Sequence, residues 1–282
     1  MKAERRGLLE IHIAVLFFGL AGLFGKLIFL PPIIIVFGRV FFATFFLSLV
    51  LVYVKQGIKL RQNQDYFFMT MMGVTLAVHW VTFFQAIQVS TVAIGLLTFS
   101  TFPIFVTFLE PIFFRERLDL KDILVAFVAV IGVVLVIEEF EIRNSMTRGA
   151  IWGIVSGFTF ALLSIMNRKY VKEYSSIVVA FYQDFIATLV LFPFLFIAVP
   201  VFRLTDIFLL SILGVVFTGL AHTLFIKGLA NVKAQKASII ASLEPVYGIV
   251  AAILLLGAIP TLKVVIGGVI ILGAAFYATV KH

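Results

Sequence analysis

Arg39 and Asp184 stand out because each is a charged residue inside a long apolar run of the chain. They occupy the second and seventh of ten apolar segments, at roughly matching depths. A charged side chain at the centre of a bilayer costs roughly 2.5–3.5 kcal/mol on insertion scales, so it usually faces a cavity or a partner. Arg39 could therefore contact a carboxylate or act as a gate, with Asp184 as its counter-charge. The alternative is a structural charge that extends along its own stem to the interface.

Two histidines and a tryptophan lie at mid-segment positions. His79 and Trp80 are in the third segment, and His222 is in the eighth. These side chains could form the polar and aromatic wall of a cavity, and a histidine there could carry a proton because imidazole titrates near neutral pH. The alternative is hydrogen bonding between helices by neutral imidazole rings. No metal-binding spacing joins the four histidines, so the sequence predicts no metal site.

Glu244 and Pro245 form the most specific local feature. Proline removes a backbone donor and frees a carbonyl in the preceding turn, which predicts a helix kink at Pro245 and another at Pro103. Glu244 beside such a break could bind an amine or a proton, or it could be a structural hydrogen-bonding group. Tyr182 and Gln183 adjoin Asp184 and are further cavity candidates. Successive helix residues point about 100° apart, so these three side chains cannot all face one cavity.

The elements that must position these residues are the ten apolar segments. Most of the 22 Lys and Arg residues fall at alternate ends of them, on the side that holds the N-terminus. Basic residues keep a loop on the cytoplasmic side, so this pattern predicts a multi-pass protein of the inner membrane with both termini in the cytoplasm. The predicted spans are 8–30, 33–54, 66–88, 91–113, 121–138, 149–168, 176–199, 206–228, 234–257 and 261–280.

Composition excludes several classes of function. Apolar residues make up 62% of the 282 positions and charged residues only 13%, which leaves no room for a separate soluble domain. The net charge of +8 is scattered at segment ends, which fits contact with the lipid bilayer and predicts no nucleic-acid partner. With no cysteine, no phosphate-binding loop and no paired mid-span carboxylates, the chain predicts neither an enzyme nor a cofactor.

The chain has an internal repeat. A shift of 142 positions places Ser100 on Ser242, Pro103 on Pro245 and Lys121 on Lys263 without a gap. This divides the chain into two five-span repeats, residues 1–142 and 143–282. Because five is odd, the two repeats must have opposite orientations in the membrane. Inverted repeats are typical of secondary transporters, which bind their substrate near the midplane between the repeats. The predicted fold is therefore all-α and integral to the membrane, with ten transmembrane helices in two inverted repeats.

Several short motifs resemble the EamA-type repeat of the drug/metabolite transporter superfamily. The first copy runs through Ala86-Ile87, Pro103, Glu116, Leu118, Lys121-Asp122 and Gly132. The second copy runs through Gly228-Leu229, Leu243-Glu244-Pro245, Gly257, Leu262-Lys263, Gly267-Gly268 and Gly273. Phe37-Gly38-Arg39 is similar to that family's Phe-x-Arg feature. One departure is that Ala258 occupies the position that matches Glu116.

The resemblance implies a carrier that moves a small organic metabolite by alternating access. Amino-acid export is the leading expectation, and drug efflux or uptake of another metabolite is the second. A scaffold or sensor that transports nothing is the alternative from another class. It would tolerate loss of Glu244, His79 and Asp184 together. Proton coupling and homodimer formation both stay open at this point.

Overall fold

The computed structural model describes residues 2–114, 120–137, 141 and 143–280, and every regular element in these ranges is a helix. Residues Glu116 and Leu118 of the first motif lie outside them. The elements are α1 (Lys2–Ala21), α2 (Phe24–Leu27), α3 (Pro32–Tyr53), α4 (Asn63–Val89), α5 (Val92–Phe99), α6 (Phe102–Phe114), α7 (Leu120–Val136), α8 (Ser145–Tyr170), α9 (Ser176–Leu191), α10 (Phe194–Ala198), α11 (Leu204–Gly214), a π-helical turn (Val215–Leu220), α12 (Ala221–Leu229), α13 (Ala234–Ala241), α14 (Glu244–Leu256) and α15 (Leu262–Val280).

Six helical stretches are long and apolar enough to cross a membrane. They are Ala3–Leu27, Pro32–Tyr53, Asn63–Val89, Val92–Phe113, Ser145–Tyr170 and Leu204–Leu229. Four shorter apolar helices of 10–17 residues accompany them: Leu124–Val136, Ser176–Leu191, Glu244–Leu256 and Leu262–Tyr277. Large apolar side chains such as Phe29, Leu254 and Phe196 point outward and are more than two-thirds exposed. An apolar outer surface of this kind suits hydrocarbon rather than water, so the chain is a multi-pass membrane protein.

The helices repeat at the same 142-residue offset that relates the two halves of the sequence. Helices α5, α6 and α7 begin at Val92, Phe102 and Leu120, and their counterparts α13, α14 and α15 begin 142 positions later at Ala234, Glu244 and Leu262. The packing follows the same relationship, because α4 packs against α8 while its counterpart α12 packs against α1. Helices α3 and α9, which are counterparts, pack against each other, as do α7 and α15. The centre of the molecule is therefore lined by both halves.

The two proline-bearing spans are interrupted. Helix α5 ends at Phe99 and α6 begins at Phe102, and α13 ends at Ala241 where α14 begins at Glu244. Pro103 and Pro245 are each the second residue after the gap, where the missing N–H has no intrahelical partner to lose. Near the first gap, the Ser100 hydroxyl donates to the Leu96 carbonyl oxygen at 2.9 Å, which satisfies a backbone group at the helix end. The predicted kinks are thus two-residue interruptions at repeat-related positions.

Ion pairs join the two halves at one end of the molecule. Glu10 of α1 accepts from Lys227 of α12 at 2.9 Å and from Arg6 at 3.1 Å. Glu4 accepts from Lys236 of α13 at 2.8 Å. The 142-position shift places Trp152 on Glu10 and Gln85 on Lys227, and neither of these two residues is charged, so the equivalent ion pair cannot form. The two halves therefore meet through charges at this end.

The opposite end of the molecule has an apolar cavity at the repeat-related place. Its volume is about 200 Å³, and Met146 of α8 and Ile94 of α5 are among its lining residues. These two residues are the repeat mates of Glu4 and Lys236. The same helix-to-helix contact is thus held by charges at one end and lined by apolar side chains at the other.

Candidate functional site

Arg39 is the centre of the candidate site and is completely buried. Its Nε donates to the hydroxyl of Thr218 at 2.9 Å, and its Nη2 donates to the carbonyl oxygen of Phe217 at 3.4 Å. Both partners lie in the π-helical turn, and the Thr218 hydroxyl in turn donates to the Leu213 carbonyl oxygen at 2.8 Å. Single π turns inside α-helices are frequent at functional sites. Here the π turn of the second half holds a charge from the first half.

The Arg39 guanidinium also packs on aromatic rings of α4. Its Cζ lies 3.5 Å from the ring centroid of Trp80 and 5.4 Å from that of Phe84. Close approach of α3 is made possible by Gly214, where an added Cβ would lie 2.6 Å from the Arg39 carbonyl oxygen. A cation over an aromatic face is stabilised by the quadrupole of the ring, and most strongly in a desolvated site. The guanidinium is therefore oriented by a ring face and two hydrogen bonds.

Several buried polar atoms around Arg39 have no hydrogen-bond partner among the described residues. They include Nη1 of Arg39, both carboxylate oxygens of Asp184, Nδ1 of His222 and Nε1 of Trp80. Buried polar groups in folded proteins are nearly always paired, so such a concentration needs a reason. The site thus offers free N–H donors next to free carboxylate acceptors. A ligand that has both hydrogen-bond acceptors and donors could pair with them.

Glu244 joins this group from the interrupted span α13–α14. Its side chain is buried at the first residue of α14, directly after the break. Arg39 interacts electrostatically with both Glu244 and Asp184. Helix α1 is in close backbone contact with the start of α14, because an added Cβ at Gly19 would lie only 2.6 Å from the Glu244 carbonyl oxygen. A helix start is a favourable place for a carboxylate, since the dipole and the free N–H groups stabilise negative charge there.

His79 is held by hydrogen bonds to α8 and packs among aromatic rings. Its Nδ1 lies 3.0 Å from both the carbonyl oxygen and the hydroxyl oxygen of Ser156. A carbonyl oxygen can only accept, so Nδ1 carries a hydrogen in this contact. The imidazole packs against the rings of Trp80 and Phe160, with centroids 4.5 and 5.1 Å apart. These contacts give His79 a structural role as the link between α4 and α8.

Six of the eight cavity residues predicted from sequence come together here and define the central cluster: Arg39, His79, Trp80, Asp184, His222 and Glu244. Each is at most 3% exposed, so the central cluster is closed to solvent in this structure. Electrostatic interactions also link Arg39 with His79 and His222. Because the members come from α3, α4, α9, α12 and α14, both halves of the chain build the site.

The other two predicted residues point elsewhere on α9. The Tyr182 hydroxyl donates to the Ile58 carbonyl oxygen at 2.9 Å, in the connection between α3 and α4, so Tyr182 is not part of the central cluster. Gln183 is completely buried, and its Nε2 donates to Asn167 Oδ1 of α8 at 2.6 Å. Helical rotation separates the three neighbouring side chains, as the 100° spacing requires.

The partners Thr218, Phe217 and Ser156 were not predicted from the sequence. Thr218 and Phe217 reach Arg39 through a π turn, and no residue pattern in Val215–Leu220 marks this turn. Ser156 lies 3.0 Å from His79 although the two are 77 positions apart in the chain. A signal for Ser156 was present, because it is a small polar residue between Gly153 and Gly157 on an apolar segment.

Comparisons with known proteins agree on one family. The EamA-like transporter family matches the chain twice, over residues 5–138 and 147–280. An uncharacterized transporter of Archaeoglobus fulgidus is 30% identical over 198 residues, which is 70% of each chain. The uncharacterized transporter YxxF of Bacillus subtilis is 24% identical and is aligned over 100% of this chain and 92% of its own.

Two further comparisons extend this picture. A protein of Rickettsia bellii named S-adenosylmethionine uptake transporter is 23% identical, over 84% of this chain and 81% of its own. A solved crystal structure has a TM-score of 0.70 at 16% identity, covering 98% of this chain and 96% of its own, which shows a shared fold. With two family matches that together span nearly all of its length, the chain belongs to the EamA-like transporter family.

Proposed function

We propose that this protein is a secondary transporter that moves a small amino-acid-like metabolite by alternating access. The observation that carries the proposal is the set of open polar atoms in the closed central cluster, above all Nη1 of Arg39 and the carboxylate of Asp184. A guanidinium recognises a carboxylate with directed hydrogen bonds. The substrate carboxylate binds Arg39, and its amino group binds the carboxylate of Glu244.

The proposed topology is ten membrane spans in two inverted five-span repeats, in the inner membrane with both termini in the cytoplasm. Support comes from the helix starts that recur at the 142-residue offset and from the interrupted spans at Pro103 and Pro245. Discontinuous helices at the interface of two repeats are a common way to build a transporter binding site. The distribution of Lys and Arg supports the orientation.

Export is the direction proposed first, as the resemblance implies. Uptake is the second candidate, and the name of the Rickettsia bellii relative favours it. S-adenosylmethionine contains an α-amino acid group, so both directions are compatible with a site that binds a carboxylate beside an amine. Both candidates require the two ends of the molecule to open in turn around the central cluster.

Counterflow in proteoliposomes tests this function. Purified protein is reconstituted with an unlabelled amino acid inside, and entry of labelled leucine, arginine or S-adenosylmethionine is followed. We expect saturable entry of one of these three probes and its loss when Arg39→Gln removes the guanidinium. Asp206→Asn is the matched control, because Asp206 accepts from the Arg203 backbone N–H at 3.0 Å outside the central cluster. A well-folded protein that exchanges none of these probes, or an Arg39→Gln variant that exchanges normally, overturns the proposal.

A further inference from the structure

The charges of the central cluster do not balance. Arg39 contributes one positive charge, whereas Asp184 and Glu244 contribute two negative charges when both are ionised. The neighbours of α9 are α3, α4 and α12, which place Arg39, His79 and His222 in the central cluster. Both imidazoles are buried and titratable, and His79 uses its Nδ1 to hold Ser156. With the imidazoles neutral and both carboxylates ionised, the central cluster carries one net negative charge.

The other titratable groups of these three helices do not correct the imbalance. Asp65 accepts from the Tyr174 hydroxyl, and Lys227 pairs with Glu10. Tyr66 packs edge-to-face on Tyr182 outside the central cluster, and Tyr53 is exposed. An uncompensated charge in a low-dielectric interior is strongly unfavourable, so the closed arrangement needs one further positive charge.

We propose that the central cluster closes around either one proton or one monocationic substrate, so that the carrier exchanges a monocation for a proton. This inference rests on the proposed function and adds its substrate class and its coupling ion. In the empty carrier the extra charge is a proton on the carboxylates. In the loaded carrier a substrate of net charge +1 replaces that proton, and the closed central cluster is neutral in both cases.

The proton of the empty carrier is shared by Asp184 and Glu244. Both carboxylate oxygens of Asp184 lack a hydrogen-bond partner among the described residues, and both acidic residues are buried. Arg39 interacts electrostatically with each of them, so one ionised carboxylate balances Arg39 and the protonated one needs no counter-charge. Loading of the second substrate cation releases the shared proton.

The matching ligand is an α-amino acid that carries a second positive group. Its carboxylate binds Nη1 of Arg39, its ammonium group binds Glu244, and its second cation lies beside Asp184. The central cluster also has aromatic rings, since Phe18 and Phe84 both contact Trp80, with ring centroids 6.2 and 6.4 Å from it. Such rings favour cations, including a sulfonium as well as a protonated base. Arginine and S-adenosylmethionine represent the two chemistries.

The experiment measures proton release on binding. Arginine, S-adenosylmethionine or leucine is added separately to the purified protein in weakly buffered detergent solution with a pH-sensitive dye. Binding is measured in parallel with labelled ligand. We expect release of about one proton per bound monocation and none for leucine, because proton binding and ligand binding are linked at one site. In proteoliposomes, entry of the monocation acidifies a medium that starts near neutral pH.

Two variants remove the negative charge by different routes. Asp184→Asn and Glu244→Gln each lower the count of carboxylates by one, so each variant should lose proton release and gain preference for neutral leucine over the monocations. Asp206→Asn removes a carboxylate outside the central cluster and should behave like the wild type. A variant that fails to give a monodisperse protein is replaced by the other.

The outcomes separate the two proposals. Exchange of leucine by the wild type with no proton movement overturns the inference and leaves the proposed function standing. Monocation binding without proton release also overturns it. Proton release that persists unchanged in both carboxylate variants has the same consequence. Release with arginine alone assigns a basic amino acid, and release with S-adenosylmethionine alone assigns a sulfonium. Failure of all probes to exchange in counterflow overturns the proposed function itself.

Discussion

The guanidinium carbon of Arg39 lies 3.5 Å from the ring centroid of Trp80, so the central cation of the site rests on an aromatic face rather than in a close ion pair. Asp184 and Glu244 interact with it electrostatically, but the described ion pairs do not include them. The Trp80 ring stabilises the guanidinium without occupying Nη1, which has no hydrogen-bond partner among the described residues. Nη1 is therefore available for the substrate carboxylate of the proposed function.

Arg39→Lys should impair transport although it keeps the positive charge. Lysine has a compact ammonium group, so it loses the bond from Nε to Thr218 and the planar stacking on Trp80. A hydrogen bond to a charged group is worth about 1.5–3 kcal/mol, which predicts a kcat/KM about 10- to 100-fold lower. Initial rates of labelled-ligand counterflow check this value. Equal rates for the variant and the wild type would show that Arg39 serves only as a point charge.

His79→Phe should destabilise the protein slightly and leave proton release intact. The new ring keeps the packing against Phe160 and Trp80, but the hydrogen bond to Ser156 is lost. We expect a loss of about 1 kcal/mol in the free energy of unfolding. Thermal unfolding in detergent measures the first effect, and the pH-dye assay measures the second. Loss of proton release in a folded variant would place His79 on the proton path and contradict its structural role.

Gly228→Ala should block the close approach of α12 and α1. An added Cβ would lie 2.4 Å from Ile11 Cγ1 and 2.8 Å from the Gly7 carbonyl oxygen. Overpacking of this kind typically costs about 1–3 kcal/mol. Gly273→Ala is the matched control, because a Cβ there meets no described heavy atom within 4 Å. Thermal unfolding of both variants should show destabilisation at Gly228 only, and an equal effect at both positions would count against the close contact.

Tyr174→Phe should weaken the contact between the connection α8–α9 and the start of α4. The Tyr174 hydroxyl donates to the Asp65 carboxylate and accepts from the Arg61 backbone N–H at 2.8 Å. Loss of a hydrogen bond to a charged acceptor predicts a decrease of about 1.5 kcal/mol in the free energy of unfolding at neutral pH. Chemical unfolding of reconstituted protein measures it, with Tyr53→Phe at an exposed position as control.

The same residue predicts a dependence on alkaline pH. Burial raises the pKa of the Tyr174 hydroxyl, and its hydrogen bond to Asp65 raises it further. The folded state therefore keeps a proton that the unfolded state loses above about pH 10, and the free energy of unfolding falls as the pH rises through that range. Tyr174→Phe should flatten this decline. A decline of the same steepness in the variant would assign it to other groups.

Much of the architecture could be predicted from residue types, because the signals involved are local. Apolar length marks the segments, and Pro103 and Pro245 mark the interruptions at the same offset in each half. Arg39 and Asp184 stand out because a charge inside an apolar run is rare. The sequence shows that Tyr182, Gln183 and Asp184 cannot all face one cavity, but it does not show which of them does. In the structure Asp184 interacts with Arg39, and Tyr182 donates to the Ile58 carbonyl oxygen.

The orienting contacts of Arg39 could not be predicted for a different reason. Thr218 is one of many hydroxyl residues in the chain, and it reaches Arg39 from 179 positions away. The π turn that presents it is a feature of backbone geometry within a uniformly apolar stretch. Such a site depends on how two helices from different halves pack together, and this packing cannot be inferred from the residue type at a single position.

The ion pairs of Glu10 with Lys227 and of Glu4 with Lys236 have a consequence for the resting state of the carrier. The Glu4–Lys236 pair is exposed and weakens as ionic strength rises, whereas the pair that includes the buried Glu10 is screened less and apolar contacts are not screened. Salt should therefore loosen the charged end selectively and, under the proposed alternating access, shift the share of molecules that are open at that end. For the proposed carrier, the salt concentration at the charged end would therefore help to set how often that end opens.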